Sequence, residues 1–296
     1  MTRNELQNLR LIISRALEED IGDGDITSVS TIHAHTELTG RFIAKETGII
    51  AGLEVVHETF KFLDKKVTFL PRYSDGSEVT KGSIIATVKG KGRALLSAER
   101  TALNFLQRMS GIATTTSAYV HAVRNSKAVI IDTRKTAPGL RLLDKWAVRL
   151  GKGYNHRFGL YDMVLIKENH ITAAGGITQA VMNVRTKDKK KRPIEVEVHN
   201  LENLPELLQL HVDRILLDNM SLDRLHEAVR ITNGRTKLEA SGNVSLENVA
   251  AIAATGVDMI SVGKLTHSVR AMDISFLIDN LSLPQKRTLA SRKSKK

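Results

Sequence analysis

From residue 128 onward, short apolar runs rich in Val, Ile and Leu recur at 128–131, 163–166, 194–198, 215–217, 238–240 and 259–262. The segments at 140–150, 177–185, 201–210, 222–231 and 246–254 carry apolar residues at helical spacing. Successive runs begin roughly 20–35 residues apart, the length of a strand–helix unit. A strand followed by a crossover helix and another strand pairs in parallel, because the helix returns the chain to the same end of the sheet. Six such units predict a β/α barrel, closed or nearly closed.

The residues before 128 lack this rhythm. Leu6, Leu9, Ile13, Ala16 and Leu17 predict an amphipathic helix over 4–20, and the Gly/Asp cluster at 20–25 predicts a turn. Strand-like pieces follow at 37–44, 67–70 and 84–88, with a helix over 55–63. A long helix is predicted over 95–119, with Leu95, Ala102, Leu106, Met109 and Ala113 on its apolar face. Its polar stripe, Arg100, Asn104, Gln107, Arg108 and Gly111, reads as a solvated face.

In β/α barrels the reacting groups gather where the strands end. The six runs end in Asp132-Thr133-Arg134-Lys135, Lys167-Glu168-Asn169-His170, a run carrying Glu195 and Glu197, Asp218-Asn219, Ser241-Gly242-Asn243 and Gly263-Lys264. Arg134, Lys135, Arg157 and Lys167, with His156 nearby, form a dense cationic set that repels itself unless an anion compensates it. The arginine fork suits carboxylate and phosphate, so the expected ligand carries several negative charges. Glu197 and Asp218 suit a hard divalent cation such as Mg²⁺ or, alternatively, the stabilisation of a developing positive charge. Glu195 and Glu197 share a strand face, and either reads also as a mere partner for a lysine. The last two strand ends are glycine-bearing turns expected to precede helices, so that backbone N–H groups and helix N-termini there would cradle phosphate.

The formal net charge of +12 invites a nucleic-acid reading, but its distribution argues against one. The run 187–192 and the tail 286–296 hold eleven cations and one acid; the rest of the chain carries 33 cations against 31 acids. Two solvated basic runs are the simpler account. An aromatic content of 4% leaves little with which to stack bases. The absence of cysteine excludes disulfides, thiol nucleophiles and cysteine-ligated metal sites. No stretch has the length and apolarity of a membrane span, and the N-terminal residues do not read as a signal peptide, so a cytoplasmic protein without membrane partners is expected. P-loop spacing, a complete GxGxxG and paired helical histidines are all missing.

The motifs DIGDGDITS (20–28), DTRKTAPGLR (132–141), NHRFGLYDMVLIKENHI (155–171), EVEV (195–198), LLDN (216–219), EASGN (239–243) and SVGKLTHS (261–268) resemble the quinolinate phosphoribosyltransferase family over about residues 5–280. Matching segments at 99–104 and 110–114 extend the likeness. The resemblance implies an α/β fold: an N-terminal α/β sandwich over 1–115 and an open, incomplete β/α barrel over 116–280; the basic tail over 281–296 and the run 187–192 depart from the family pattern. It implies phosphoribosyl transfer from phosphoribosyl pyrophosphate to quinolinate with decarboxylation, dependent on Mg²⁺, in NAD biosynthesis. It also implies a homodimer or hexamer in which the long helix lies at the dimer interface and Arg100 reaches the neighbouring subunit's site, displacing the solvated-face reading. Arg134, Lys135, His156, Arg157 and Lys167 would line the pocket for the two quinolinate carboxylates, Thr133 would also bind substrate, and Glu197 and Asp218 would sit at the ribose and the metal, with Lys135, Lys167, Glu197 and Asp218 catalytic. Ser241, Gly242, Asn243, Val262, Gly263 and Lys264 would bind phosphate. The chain departs from the family pattern at Lys152, which interrupts a glycine run, and at Asn243, where glycine is common.

Overall fold

The computed structural model describes residues 2–279, so the expected tail at 281–296 lies outside the described residues. The first part contains α1 (Arg3–Ile21), α2 (Ile26–Thr31), β1 (Glu37–Ala44), β2 (Gly48–Ile49), α3 (Leu53–Leu63), β3 (Thr68–Pro71), β4 (Glu78–Val79), β5 (Ile84–Lys91) and α4 (Gly92–Ala122). The second contains β6 (Val129–Ile131), α5 (Arg141–Leu150), β7 (Val164–Ile166), α6 (Glu168–Ala174), α7 (Ile177–Lys187), β8 (Ile194–Val198) and α8 (Leu204–Gln209). It continues through β9 (Arg214–Asp218), α9 (Leu222–Thr232), β10 (Lys237–Ser241), α10 (Val249–Ala254), β11 (Met259–Ser261), α11 (Lys264–His267) and β12 (Ile274–Ile278).

The predicted turn at 20–25 does end α1, but its last residue also starts a helix. The Asp25 carboxylate accepts the Ser28 N–H at 2.9 Å and caps α2, which hydrophobic spacing did not reveal. β1, β5, β3 and β12 form an antiparallel sheet in the order β12-β1-β5-β3. Residues 274–278, expected with the barrel, therefore pair with β1. The reason is local: Phe276 packs 4.8 Å from Phe42, and a Cβ on Gly40 would sit 2.1 Å from the Phe276 ring. A side chain at position 40 would exclude this strand.

β6 to β11 form a parallel sheet in the order β6-β11-β10-β9-β8-β7, open between β6 and β7. The 154–157 segment lies along the free side of β6, where Tyr154 bridges Ile131 and exchanges backbone hydrogen bonds with Ile130 and Asp132 at 2.9 and 3.1 Å. α4 joins the two parts. Its first half packs Leu95, Ala102 and Leu106 into the core of the antiparallel sheet, and its second half packs Ile112, Ala113 and Tyr119 into the barrel core.

The solvated-face reading of α4 fails for most of its polar stripe. Arg108 makes two 2.9 Å hydrogen bonds to the buried Asp144 carboxylate of α5, and Gln107 donates to the Ile274 carbonyl at 2.7 Å. Gly111 is buried where a Cβ would approach the Arg270 carbonyl to 2.1 Å. Only Arg100 and Asn104 of that stripe are exposed. Spacing alone cannot separate a polar face meeting water from one meeting buried partners.

Candidate active site

Parallel register brings the ends of all six strands to one rim. Ile131 lies beside Ser261, Ser241 beside Asp218, Leu217 beside Val198, and Val196 beside Ile166. The residues that follow these positions therefore stand next to one another although they are scattered through the sequence.

Beneath the rim lies a buried polar layer. Asp132, at the end of β6, holds the Lys145 ammonium of α5 and accepts from Asn155 Nδ2 at 2.6 Å and the His156 N–H at 2.9 Å. Lys145 also donates to the His156 carbonyl at 3.1 Å. Burial pushes the Asp132 carboxyl up and the Lys145 ammonium down, so each opposes its own charge and depends on the other. The pair fixes the 154–157 segment against β6.

His156 then reaches across the barrel. Its Nε2 lies 2.9 Å from Glu195 of β8 and 3.4 Å from Glu239 of β10, and Arg214 closes the group at 3.3 Å from Glu239. Burial alone would lower the imidazole, but the two carboxylates outweigh it and raise His156 to about 9. Burial raises Glu195 to about 7, against the hydrogen bond from His156. Burial also opposes ionisation of Glu239, yet His156 holds that carboxyl below its usual range. The Arg157 N–H points at His156 Nδ1 at 2.7 Å and favours a lone pair there. This contact opposes protonation at Nδ1, while the two carboxylates favour a proton on Nε2, which faces them. Glu195 thus meets a buried histidine rather than a lysine, and His156 supports the rim from below more than it lines it.

Above this layer, Arg134 and Arg157 repel one another: burial and then the Arg134 guanidinium pull Arg157 below its ordinary value. Arg134 Nε is buried without a hydrogen-bond partner, as expected of a group awaiting an anion. Across the opening, the Lys167 ammonium at the end of β7 meets Glu197 Oε2 of β8. Lys135 leaves β6 toward the turn after β11: a Cβ on Gly263 would lie 3.2 Å from its side chain, and Thr266 Oγ1 donates to its carbonyl at 2.9 Å. The Thr133 hydroxyl accepts the Lys135 N–H at 3.0 Å.

The glycine turns are built as the sequence suggested, with one difference. Gly242 has φ +97°, and a Cβ there would fall 2.2 Å from Asn219 Oδ1. Asn243 has φ 50°, a left-handed conformation that asparagine tolerates in place of glycine. Its Nδ2 donates to Asn219 Oδ1 at 3.1 Å. However, α10 starts only at Val249, so the turn at 241–243 does not open directly onto a helix. Val262 is buried, whereas Lys264 is exposed at the rim. Lys152 is also exposed, with φ 67°, while the flanking Gly151 and Gly153 pack against α4.

Two features escaped the sequence reading. Glu239 was legible as a charged residue inside an otherwise apolar strand. His199 lies two positions beyond Glu197, in the bend just after β8. Its Nδ1 is 3.6 Å from Asp218, and its Nε2 is 3.8 Å from Glu168 and 4.0 Å from Glu197 Oε1. Donor atoms of Glu197, His199 and Asp218 all lie within 4.8 Å of one another, a set that can hold a divalent cation. The buried trio His156, Glu195 and Glu239 is equally compact but is already engaged with Arg214. Arg100 is exposed on α4 and pairs with no carboxylate among the described residues.

Known proteins resemble this chain in sequence and in fold over most of its length. Family models described as the N-terminal and C-terminal domains of quinolinate phosphoribosyl transferase match residues 25–110 and 112–277. The chain is 46% identical over 291 residues to the rice chloroplastic nicotinate-nucleotide pyrophosphorylase [carboxylating], covering 92% of this chain and 78% of that protein. It is 44% identical over 272 residues to a probable nicotinate-nucleotide pyrophosphorylase [carboxylating] of Bacillus subtilis, covering 92% and 93%. The crystal structure of NadC from Streptococcus pyogenes superposes with a TM-score of 0.89 at 38% identity, over 95% of this chain and 99% of that one. The corresponding enzyme from Francisella tularensis gives 0.88 at 41% identity, over 92% and 96%.

Proposed function

The chain belongs to the quinolinate phosphoribosyltransferase family, and from that premise we propose how its own residues carry the family's reaction. That reaction transfers a phosphoribosyl group to quinolinate with loss of CO₂, giving nicotinate mononucleotide and pyrophosphate for NAD biosynthesis. The observation that carries the assignment of residues is the unpartnered, buried Nε of Arg134 beside Arg157, on a rim that also presents Lys135 and Lys167.

Quinolinate is a dianion, and Arg134, Arg157 and Lys167 supply the fixed positive charge that binds and orients it. Thr133 and Lys135, between that pocket and the turn at Gly263, face the phosphoribosyl donor. Its phosphates lie against Ser241, Gly242, Asn243, Val262, Gly263 and Lys264. The pyridine nitrogen has its own lone pair, so bond formation to the ribose carbon requires no general base. As pyrophosphate leaves, positive charge grows on the ribosyl ring, and Glu197 and Asp218 stabilise it electrostatically. The new bond makes the ring nitrogen cationic. The nitrogen's positive charge stabilises the electron pair left on the adjacent ring carbon as the carboxylate departs as CO₂, and that carbon uses the pair to take up a proton, leaving the pyridinium of the product.

Glu197 and Asp218 are the carboxylates that would hold Mg²⁺, and their proximity fits a divalent ion. When bound, Mg²⁺ supplies neutralisation of the pyrophosphate leaving group. We place Arg100 in the neighbouring subunit's pocket within a homodimer, or a hexamer built from dimers. Supporting this, Arg100 is exposed, and Leu11, Ile26, Leu160 and Tyr161 expose apolar area on the same molecule. A cytoplasmic location belongs to the proposal; the plant relatives are named as chloroplastic or mitochondrial. No helix among the described residues is long and apolar enough to cross a membrane.

The test is simultaneous detection of pyrophosphate and nicotinate mononucleotide from quinolinate and phosphoribosyl pyrophosphate, with Mg²⁺ supplied or chelated. Equimolar products that disappear on chelation are expected. Pyrophosphate without the nucleotide would refute the assignment.

A further inference from the structure

We propose that His199 is a third protein ligand at the Glu197–Asp218 pair, making a mixed nitrogen–oxygen site for a divalent transition ion. The inference rests on reading those carboxylates as the metal-binding pair, and it concerns a residue that the reaction scheme does not use.

The placement follows from sheet register. Val198 of β8 lies beside Leu217 of β9, so the next residues, His199 and Asp218, are neighbours at the rim. The bend that follows β8 leaves His199 Nε2 4.0 Å from Glu197 Oε1. Glu168, in the first turn of α6, closes the fourth side.

The distances separate a hydrogen-bonded histidine from a ligand. Nδ1 lies 3.6 Å from Asp218, and Nε2 lies 3.8 and 4.0 Å from Glu168 and Glu197, all beyond hydrogen-bond reach. An ion takes a single ring nitrogen, and with one donor atom from each residue Glu197, His199 and Asp218 stand within 4.8 Å of one another, so a small inward movement completes the site. Protein ligands at about 2.0–2.2 Å from a common ion stand roughly 3.0–4.2 Å apart, depending on the angle between them. The carboxylate oxygens are also divided suitably: Lys167 occupies Glu197 Oε2, and Oε1 faces His199. The ring is half exposed, so an ion has access. Carboxylates and water satisfy Mg²⁺, whereas imidazole favours the later first-row ions. The nitrogen donor therefore biases this site toward ions such as Co²⁺ or Zn²⁺ relative to a site of carboxylates alone.

Co²⁺ added to the purified protein is the probe, with two readouts independent of turnover. Expected are a strongly shifted, exchangeable imidazole N–H proton resonance in the Co²⁺ complex and its loss in His199→Asn. Co²⁺ affinity should fall about tenfold in that variant, and Mg²⁺ affinity, measured by competition, by less than about threefold. The exposed position lets the variant fold. A shifted resonance that persists in His199→Asn, unchanged Co²⁺ affinity, or no Co²⁺ binding by the parent protein would overturn the proposal. Failure of the parent protein to form nicotinate mononucleotide would instead sink the reaction assignment, and the spectra would still decide the ligand.

Discussion

The Lys167 ammonium, at the end of β7, rests on Glu197 Oε2, on the next strand of the sheet. An exposed ion pair contributes little to stability, about 0–1 kcal/mol, and the Lys167 side chain is 48% exposed. The pair therefore serves the rim: it keeps a cation and a carboxylate side by side where a dianion and a growing positive charge meet.

Lys167→Ala is accordingly expected to lower kcat/KM for quinolinate on the order of 100-fold. Its melting temperature should stay close to that of the parent protein. Pyrophosphate release assays beside thermal melts check both; normal turnover would remove Lys167 from the pocket.

Arg134→Lys keeps the charge and loses the fork. With Nε buried and unpartnered, the arginine is expected to bind a carboxylate through more than one N–H. Substitution should raise the KM for quinolinate about 10- to 100-fold and leave the KM for phosphoribosyl pyrophosphate nearly unchanged. Equal changes in both constants would contradict the placement.

His156 predicts a pH dependence of stability. Its value rises from 6.5 to about 9 on folding, so its contribution is complete below pH 6.5 and is lost as pH climbs through 9. The Arg157 N–H contact reduces that loss, and Glu195, raised to about 7, adds its own fall in stability at the lower end of the range. Urea denaturation between pH 6 and 9.5 measures it. His156→Gln should flatten that slope, and an equally steep slope in the variant would exclude the imidazolium as its source.

Asp132→Ala strands the Lys145 ammonium, which is 1% exposed. Breaking a buried pair in this way should cost about 3–5 kcal/mol. Replacing both partners with apolar residues should recover part of that stability but not turnover, since the 154–157 segment loses its anchor. Denaturation midpoints and activity in the single and double variants separate the two effects.

Arg100→Ala and Lys167→Ala subunits should each be nearly inactive alone. If Arg100 serves the neighbouring site, mixed and reassembled subunits regain about a quarter of parent activity, because half the dimers then carry one intact site. No recovery in verified hybrid dimers would place Arg100 outside the partner's pocket.

Much of this architecture was legible as periodicity. The six apolar runs became six parallel strands because fully buried parallel strands need continuous Val, Ile and Leu. Their polar ends became the rim because parallel register aligns those ends. β12 was not legible: whether a five-residue apolar segment joins one sheet or another depends on the space Gly40 leaves for Phe276. The stripe on α4 was misread for a similar reason, since Arg108 is polar whether it faces water or Asp144.

Sequence by itself determined the strand–helix order, the residues at each strand end and the family motifs, because these depend on local spacing and side-chain chemistry. Only the tertiary structure decided which charges were spoken for. Neighbours across the barrel, distant along the chain, set whether Arg134 Nε stays unpartnered, whether His156 is held charged by Glu195 and Glu239, and whether His199 faces three carboxylates.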